Sequence, residues 1–179
     1  MKIYDINTIN NTEKAVALGY FDGVHKGHQK VIIQTVEEKK FGLVPAVLTF
    51  DQNPKNILYN NHVKQLTNLS TKQKIFKKLN IEILYIINFK EICNLSPEEF
   101  IKNILINKLN TKCIVCGFNY KFGKNASGDT NLLKKICSDY NIKTKIISPV
   151  LHKNLPISST RIRYNILNKN FEEASFMLN

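Results

Sequence analysis

Tryptophan is absent from this 179-residue chain, and arginine nearly so: Arg161 and Arg163 stand against 24 lysines. No apolar run approaches the ~20 residues a membrane-spanning helix needs. The start, Met1-Lys2-Ile3-Tyr4-Asp5, lacks the apolar centre of a signal peptide, so a cytoplasmic location and no membrane partner are expected. Cysteine is scarce as well. Of Cys93, Cys113, Cys116 and Cys137, only Cys113 and Cys116 form a Cys-x-x-Cys pair, inside what reads as a buried strand. Strand residues three apart point to opposite faces, which suits core thiols and not a shared metal. Hydrophobic content of 43% with 22% charged residues fits one soluble globular domain over residues 1–179.

The net charge of +12 raises a nucleic-acid reading. The lysines are scattered, however, and asparagine and isoleucine are equally abundant at 23 each, the pattern of an AT-rich coding sequence. A taste for anionic ligands follows from the charge, and a dedicated nucleic-acid surface does not.

Short apolar runs alternate with helix-patterned ones. Strands are expected at Lys14–Leu18, Leu43–Phe50, Glu82–Asn88, Cys113–Cys116 and Thr144–Ser148. Helices are expected near His28–Lys40, Thr71–Leu79, Pro97–Leu109 and Thr130–Tyr140. Ser70 with Gln73, and Ser96 with Glu99 and Pro97, read as helix caps. The alternation predicts an α/β fold, a doubly wound parallel sheet, with ligands beyond the carboxyl ends of the strands. The unusual segments fall there, at 19–28, 49–61, 117–129 and 149–160.

The first of these, Gly19-Tyr20-Phe21-Asp22-Gly23-Val24-His25-Lys26-Gly27-His28, reads as strand, glycine-rich turn and helix start. Residues i and i+3 share a face, so His25 and His28 can converge on one group. Unpaired N–H groups at a helix start favour an anion, and Gly27 keeps a Cβ out of its way. An isolated pair of surface histidines is the plainer alternative, but strand, glycines and spacing agree on a phosphate site.

Both arginines fall in Ile157-Ser158-Ser159-Thr160-Arg161-Ile162-Arg163, ahead of helical Tyr164–Asn168. A chain that uses lysine elsewhere has reserved guanidinium geometry for one heptapeptide, where Ser158, Ser159 and Thr160 add hydroxyls. That combination suits phosphate, which arginine grips through a planar fork. A third segment, Gly117-Phe118-Asn119-Tyr120-Lys121-Phe122-Gly123 through Gly128-Asp129, offers aromatics and an amide for a flat heterocycle. Asp129 either joins that site or caps the following helix. Thr49-Phe50-Asp51-Gln52-Asn53-Pro54 is, by itself, a polar loop with a proline.

Together the segments resemble the FMN adenylyltransferase (FAD synthetase) domain of prokaryotic bifunctional riboflavin kinase/FMN adenylyltransferases. Phe21-Asp22-Gly23-Val24-His25-x-Gly27-His28 matches that family's version of the HxGH nucleotidyltransferase motif. Gly117-x-Asn119-Tyr120-x-Phe122-Gly123 with Gly128-Asp129 matches its second signature, and Ile157-Ser158-Ser159-Thr160-x-Ile162-Arg163 its third. The resemblance covers residues 14–179. It departs at Gln52-Asn53, where the family reads Pro-His, and the chain stops where the family's riboflavin kinase barrel begins.

The resemblance implies a single Rossmann-like domain that joins ATP and FMN into FAD and pyrophosphate with Mg²⁺. It implies catalytic roles for His25, His28, Asn119 and Arg163. ATP and its phosphates would be held by Gly19, Tyr20, Phe21, Gly23, Gly27, Ser158, Ser159, Thr160 and Arg161. The flavin would meet Asp22, Asn53, Pro54, Phe118, Tyr120, Phe122 and Asp129. Another HxGH nucleotidyltransferase with a different phosphorylated acceptor, and a non-catalytic flavin- or nucleotide-binding module, remain as alternatives.

Overall fold

Lys14–Leu18 is buried at all five positions, as expected of a parallel strand covered on both faces. It forms the middle of the molecule. The structure, a computed structural model, describes residues 1–8, 11–59 and 63–179. In chain order the first elements are strands β1 (Lys2–Asp5) and β2 (Lys14–Leu18), helix α1 (Lys26–Val36) and strand β3 (Val44–Phe50). Then come α2 (Pro54–Tyr59), α3 (Leu69–Lys78), β4 (Ile83–Ile87), α4 (Phe89–Ile92) and α5 (Pro97–Glu99), which runs on as a π-helix, Phe100–Lys108. The chain continues through β5 (Thr111–Gly117), α6 (Thr130–Asp139), β6 (Lys143–Ile147), the two-stranded hairpin β7 (Leu151–His152) and β8 (Leu155–Pro156), α7 (Ser159–Leu167) and α8 (Phe171–Leu178).

Six strands form one parallel sheet in the order β1-β4-β3-β2-β5-β6. From β2 the chain steps outward through β3 and β4, then returns to place β5 on the other side of β2. The carboxyl ends of β2 and β5 therefore flank a topological switch point, where open α/β sheets bind ligands. Alternation along β2 divides the core. Val16 and Leu18 pack beneath the π-helix and α6, with Phe100, Ile101, Leu105 and Leu133. Ala15 and Ala17 face Val31 and Ile32 of α1 and Phe76 of α3. Cys116 lies in the first cluster and Cys113 in the second, so the two thiols do point to opposite faces.

Four differences from the sequence reading have physical causes. The edge strand β1 has only four residues and is mostly exposed, so it carries no apolar run; pairing with β4 creates it. Asn68, not Ser70, caps α3, accepting from Thr71 N at 2.9 Å, while the Ser70 hydroxyl donates to Asn68. The expected helix over Pro97–Leu109 is one helical run that widens to π winding after its capping box. The helix expected at Tyr164–Asn168 begins earlier, at Ser159. The segment 49–61 closes β3 as expected, though residues 60 and 61 lie outside the described residues. Among the described residues no helix is long and apolar enough to cross a membrane.

Candidate functional site

Beyond β2 the chain turns through Phe21 (φ 54°), Gly23 (φ 80°) and Val24 (φ 39°), three left-handed conformations in four residues. A β-branched residue such as Val24 rarely accepts positive φ. The turn is fixed from outside. The buried carboxylate of Asp22 accepts N–H bonds from Leu66 (2.9 Å) and Thr67 (3.1 Å) on one oxygen and pairs with Arg163 through the other. Gly23 N donates to the Thr67 hydroxyl at 2.9 Å, and the Ser159 hydroxyl donates to the Asp22 carbonyl at 2.8 Å. Asp22 thus ties the turn to the segment before α3 and to the start of α7.

His25 ends the turn and caps α1, its Nδ1 accepting from His28 N at 3.4 Å. A neutral imidazole that accepts at Nδ1 carries its proton on Nε2. The two imidazoles stack, with centroids 3.6 Å apart and planes 19° from parallel. Burial pulls His25 down to about 4. Burial first, then His25 and the charge of Lys72, holds His28 well below 6.5. Both rings are therefore neutral N–H donors near neutral pH. A Cβ on Gly27 would sit 3.2 Å from the His25 ring, so glycine there gives the ring its place.

Across the crevice, Ser158 caps α7 by accepting from Arg161 N at 3.2 Å. The two arginines divide their work. Arg163 bridges Asp22 and the Lys64 carbonyl, the latter through Nε at 2.8 Å, and borders the cavity. Arg161 turns to the β7–β8 hairpin, donating to the carbonyls of His152 and Leu155 at 2.8 and 3.0 Å, and does not line the cavity.

The cavity has a volume of about 700 Å³. Around it lie Gly19, Tyr20, Phe21, Asp22, His25, Gly27 and His28 from the turn, and Ser158, Ser159, Thr160 and Arg163 from α7. Asn53, Pro54, Phe118, Asn119 and Tyr120 complete the wall among the residues singled out in the sequence. Four others lie elsewhere. Gly23 packs against Leu66. Phe122 is bridged to Gly128, stacks 5.8 Å from Tyr120 and lines a smaller apolar pocket that shares Pro54 and Tyr120 with the main cavity. Asp129 accepts from Asn131 N and Leu132 N, both at 3.0 Å, so of its two readings the helix cap is the one observed. Arg161 is the fourth. Sequence reasoning missed Lys55, Val63, Tyr164 and Leu167 on the wall. The three-residue spacing of Tyr164 and Leu167 on one helical face was the available signal; nothing marked Lys55 or Val63.

A model of the FAD synthetase family matches residues 7–161. A bifunctional riboflavin kinase/FMN adenylyltransferase from Buchnera aphidicola subsp. Schizaphis graminum is 41% identical over 180 residues, covering 98% of this chain and 57% of that protein. One of the same description from Listeria monocytogenes is 39% identical, covering 92% of this chain and 53% of that protein. The chain therefore spans a little over half the length of these curated relatives. A crystal structure described as a macrolide-efflux protein from Streptococcus pneumoniae superposes with TM-score 0.86 at 32% identity, covering 98% of this chain and 59% of that one.

Proposed function

Because this chain belongs to the FAD synthetase family, we propose that it transfers the adenylyl group of ATP to FMN, giving FAD and pyrophosphate. The observation that carries the reading is convergence. The histidine turn, the start of α7 and Asn119 surround one cavity at the switch point of the sheet.

The chemistry asks little covalent work of the protein. An FMN phosphate oxygen attacks the α-phosphorus of ATP in line, and the bond to the β-phosphate oxygen breaks with its electrons leaving on pyrophosphate. Catalysis rests on alignment and on donors aimed at the developing charge. The neutral imidazoles of His25 and His28 supply such donors at the α- and β-phosphates. Ser158, Ser159 and Thr160 with the first turn of α7 receive the β,γ-phosphates, where unpaired helical N–H groups favour an anion. Arg163, bridged to Asp22 and Lys64, stands beside them as the charged group of that wall.

Mg²⁺ enters with ATP as its counter-cation. The Asn119 amide and the α7 hydroxyls are hard oxygen donors of the kind that complete a magnesium shell beside phosphate oxygens. Elsewhere around the cavity, Pro54, Phe118 and Tyr120 give apolar and aromatic surface for a planar ring, continued by the smaller pocket around Phe122. Asn53 stands where the family has histidine; its Oδ1 accepts from Lys55 N at 3.0 Å and closes the loop locally.

Incubation with FMN, ATP and Mg²⁺, followed by chromatographic separation, tests the reading: FAD and pyrophosphate are expected in equal amounts. Riboflavin lacks the phosphate whose oxygen attacks ATP, so the domain should form no FAD directly from riboflavin. Nucleotide binding with no FAD formed would support a binding module instead.

A further inference from the structure

Of the 24 lysines, two are buried, Lys14 and Lys72, and of these only Lys72 stands beside the histidine turn. It is 2% exposed, sits in the first turn of α3 where the helix dipole opposes a cation, and makes no salt bridge among the described residues. Its ammonium group donates to the Tyr20 carbonyl at 2.8 Å and lies 3.5 Å from the centre of the Tyr20 ring. The Thr49 hydroxyl donates to the same carbonyl at 3.1 Å. A planar trans peptide places its N–H opposite its C=O. With the Tyr20 carbonyl drawn toward Lys72 and Thr49, the Phe21 N–H points away from them, and no described residue accepts it. Tyr20 and Phe21 both border the cavity.

We propose that Lys72 is a positioning residue for adenylyl transfer, its buried ammonium group locking the Tyr20–Phe21 peptide and placing one positive charge behind the histidine turn. The inference rests on the adenylyl-transfer reading of this site. Nothing in packing asks for a cation here. A methionine would fill the same space without the desolvation cost, so the charge is explained by work done at the turn.

The groups facing Lys72 are Tyr20 and Asp22 on the turn and His28 on α1, with Arg163 and Asp51 reaching the Tyr20 side. Asp22 favours its charge, but burial prevails and brings Lys72 down to about 8. The cation is therefore lost just above neutral pH. Lys14, also brought to about 8, lies at the opposite end of β2.

The test compares the parent with Lys72→Met and Lys72→Gln in FMN adenylylation, following kcat, KM for ATP, thermal midpoint and the pH profile. A misplaced transition-state donor costs on the order of 100-fold, so Lys72→Met should lose at least ~30-fold in kcat. Its thermal midpoint should hold or rise, which a structural lysine would not allow. Lys72→Gln keeps a donor without the charge and should recover part of kcat. The decline of parental kcat above about pH 8 should be missing from both variants. An active parent matched in kcat by Lys72→Met overturns the inference alone. So does a Lys72→Met protein that loses activity only in proportion to lost stability. A parent that forms no FAD overturns the adenylyl-transfer reading, and the inference with it.

Discussion

Replacing Arg163 with lysine keeps the charge and removes the fork. In the structure the guanidinium spans two acceptors, the Asp22 carboxylate and the Lys64 carbonyl. One ammonium group on a shorter reach serves one of them. The missing bond is charge-assisted and only partly exposed, with the Arg163 side chain at 20% and Asp22 at 3%, and such bonds contribute about 1.5–3 kcal/mol. Divided by ~1.4 kcal/mol per decade, that corresponds to at least ~10-fold in kcat/KM for ATP if the loss is expressed in the transition state. Asp22→Asn should act on the same contact from the other side, because its amide still meets Leu66 and Thr67 but no longer pairs as an anion. The two substitutions together should therefore cost less than the sum of each alone, with a coupling of at least ~1 kcal/mol. Initial rates of FAD formation and urea midpoints for the parent, both single variants and the double variant decide the matter. Parental activity and stability in Arg163→Lys would refute the fork. Strict additivity in the cycle would show that Asp22 and Arg163 act independently.

Two further outcomes are expected. His28→Ala should reduce turnover by at least ~100-fold with the near-ultraviolet spectrum of the fold retained, since it removes a preorganised donor; an unchanged rate would take His28 out of the reaction. Stability should fall on mild acidification. His25 is brought to about 4 when folded and returns toward 6.5 when unfolded, so the unfolded chain takes up the extra proton. The stability is complete well above pH 6.5 and is lost as the pH falls through it, by roughly 1.5 kcal/mol from His25 alone between pH 6.5 and 5, with His28 adding in the same direction. Urea midpoints across that window check it, and a flat profile would contradict the burial of both neutral rings.

Much of this was legible because local signals and tertiary demands agreed. Lys14–Leu18 reads as a central strand from its apolar run, and the histidine turn stands out through its glycines, spacing and position after a strand, where the structure places it on the cavity wall. What stayed hidden depends on contacts distant in sequence. Lys2–Asp5 becomes a strand only by lying beside β4, from Ile83 to Ile86. Asp22, an expected flavin contact, has both carboxylate oxygens committed to residues 44 to 141 positions away. Arg161 and Arg163 read as a pair, yet two residues along a helix turn through about 200°, so one faces the hairpin and the other the cavity. Lys72 looks like any other lysine until α3 buries it beneath Tyr20.

The left-handed run at Phe21, Gly23 and Val24 also bears on what binding will cost. Conformations of this kind lie about 1–3 kcal/mol above relaxed ones for non-glycine residues, and the surrounding hydrogen bonds hold them in the free protein. Little backbone freedom is left for a nucleotide to take away at this turn. Under the proposed reading, the binding entropy should be set by released water and by the ligand's own torsions, since a triphosphate would meet a template already rigid and gain affinity without a folding step.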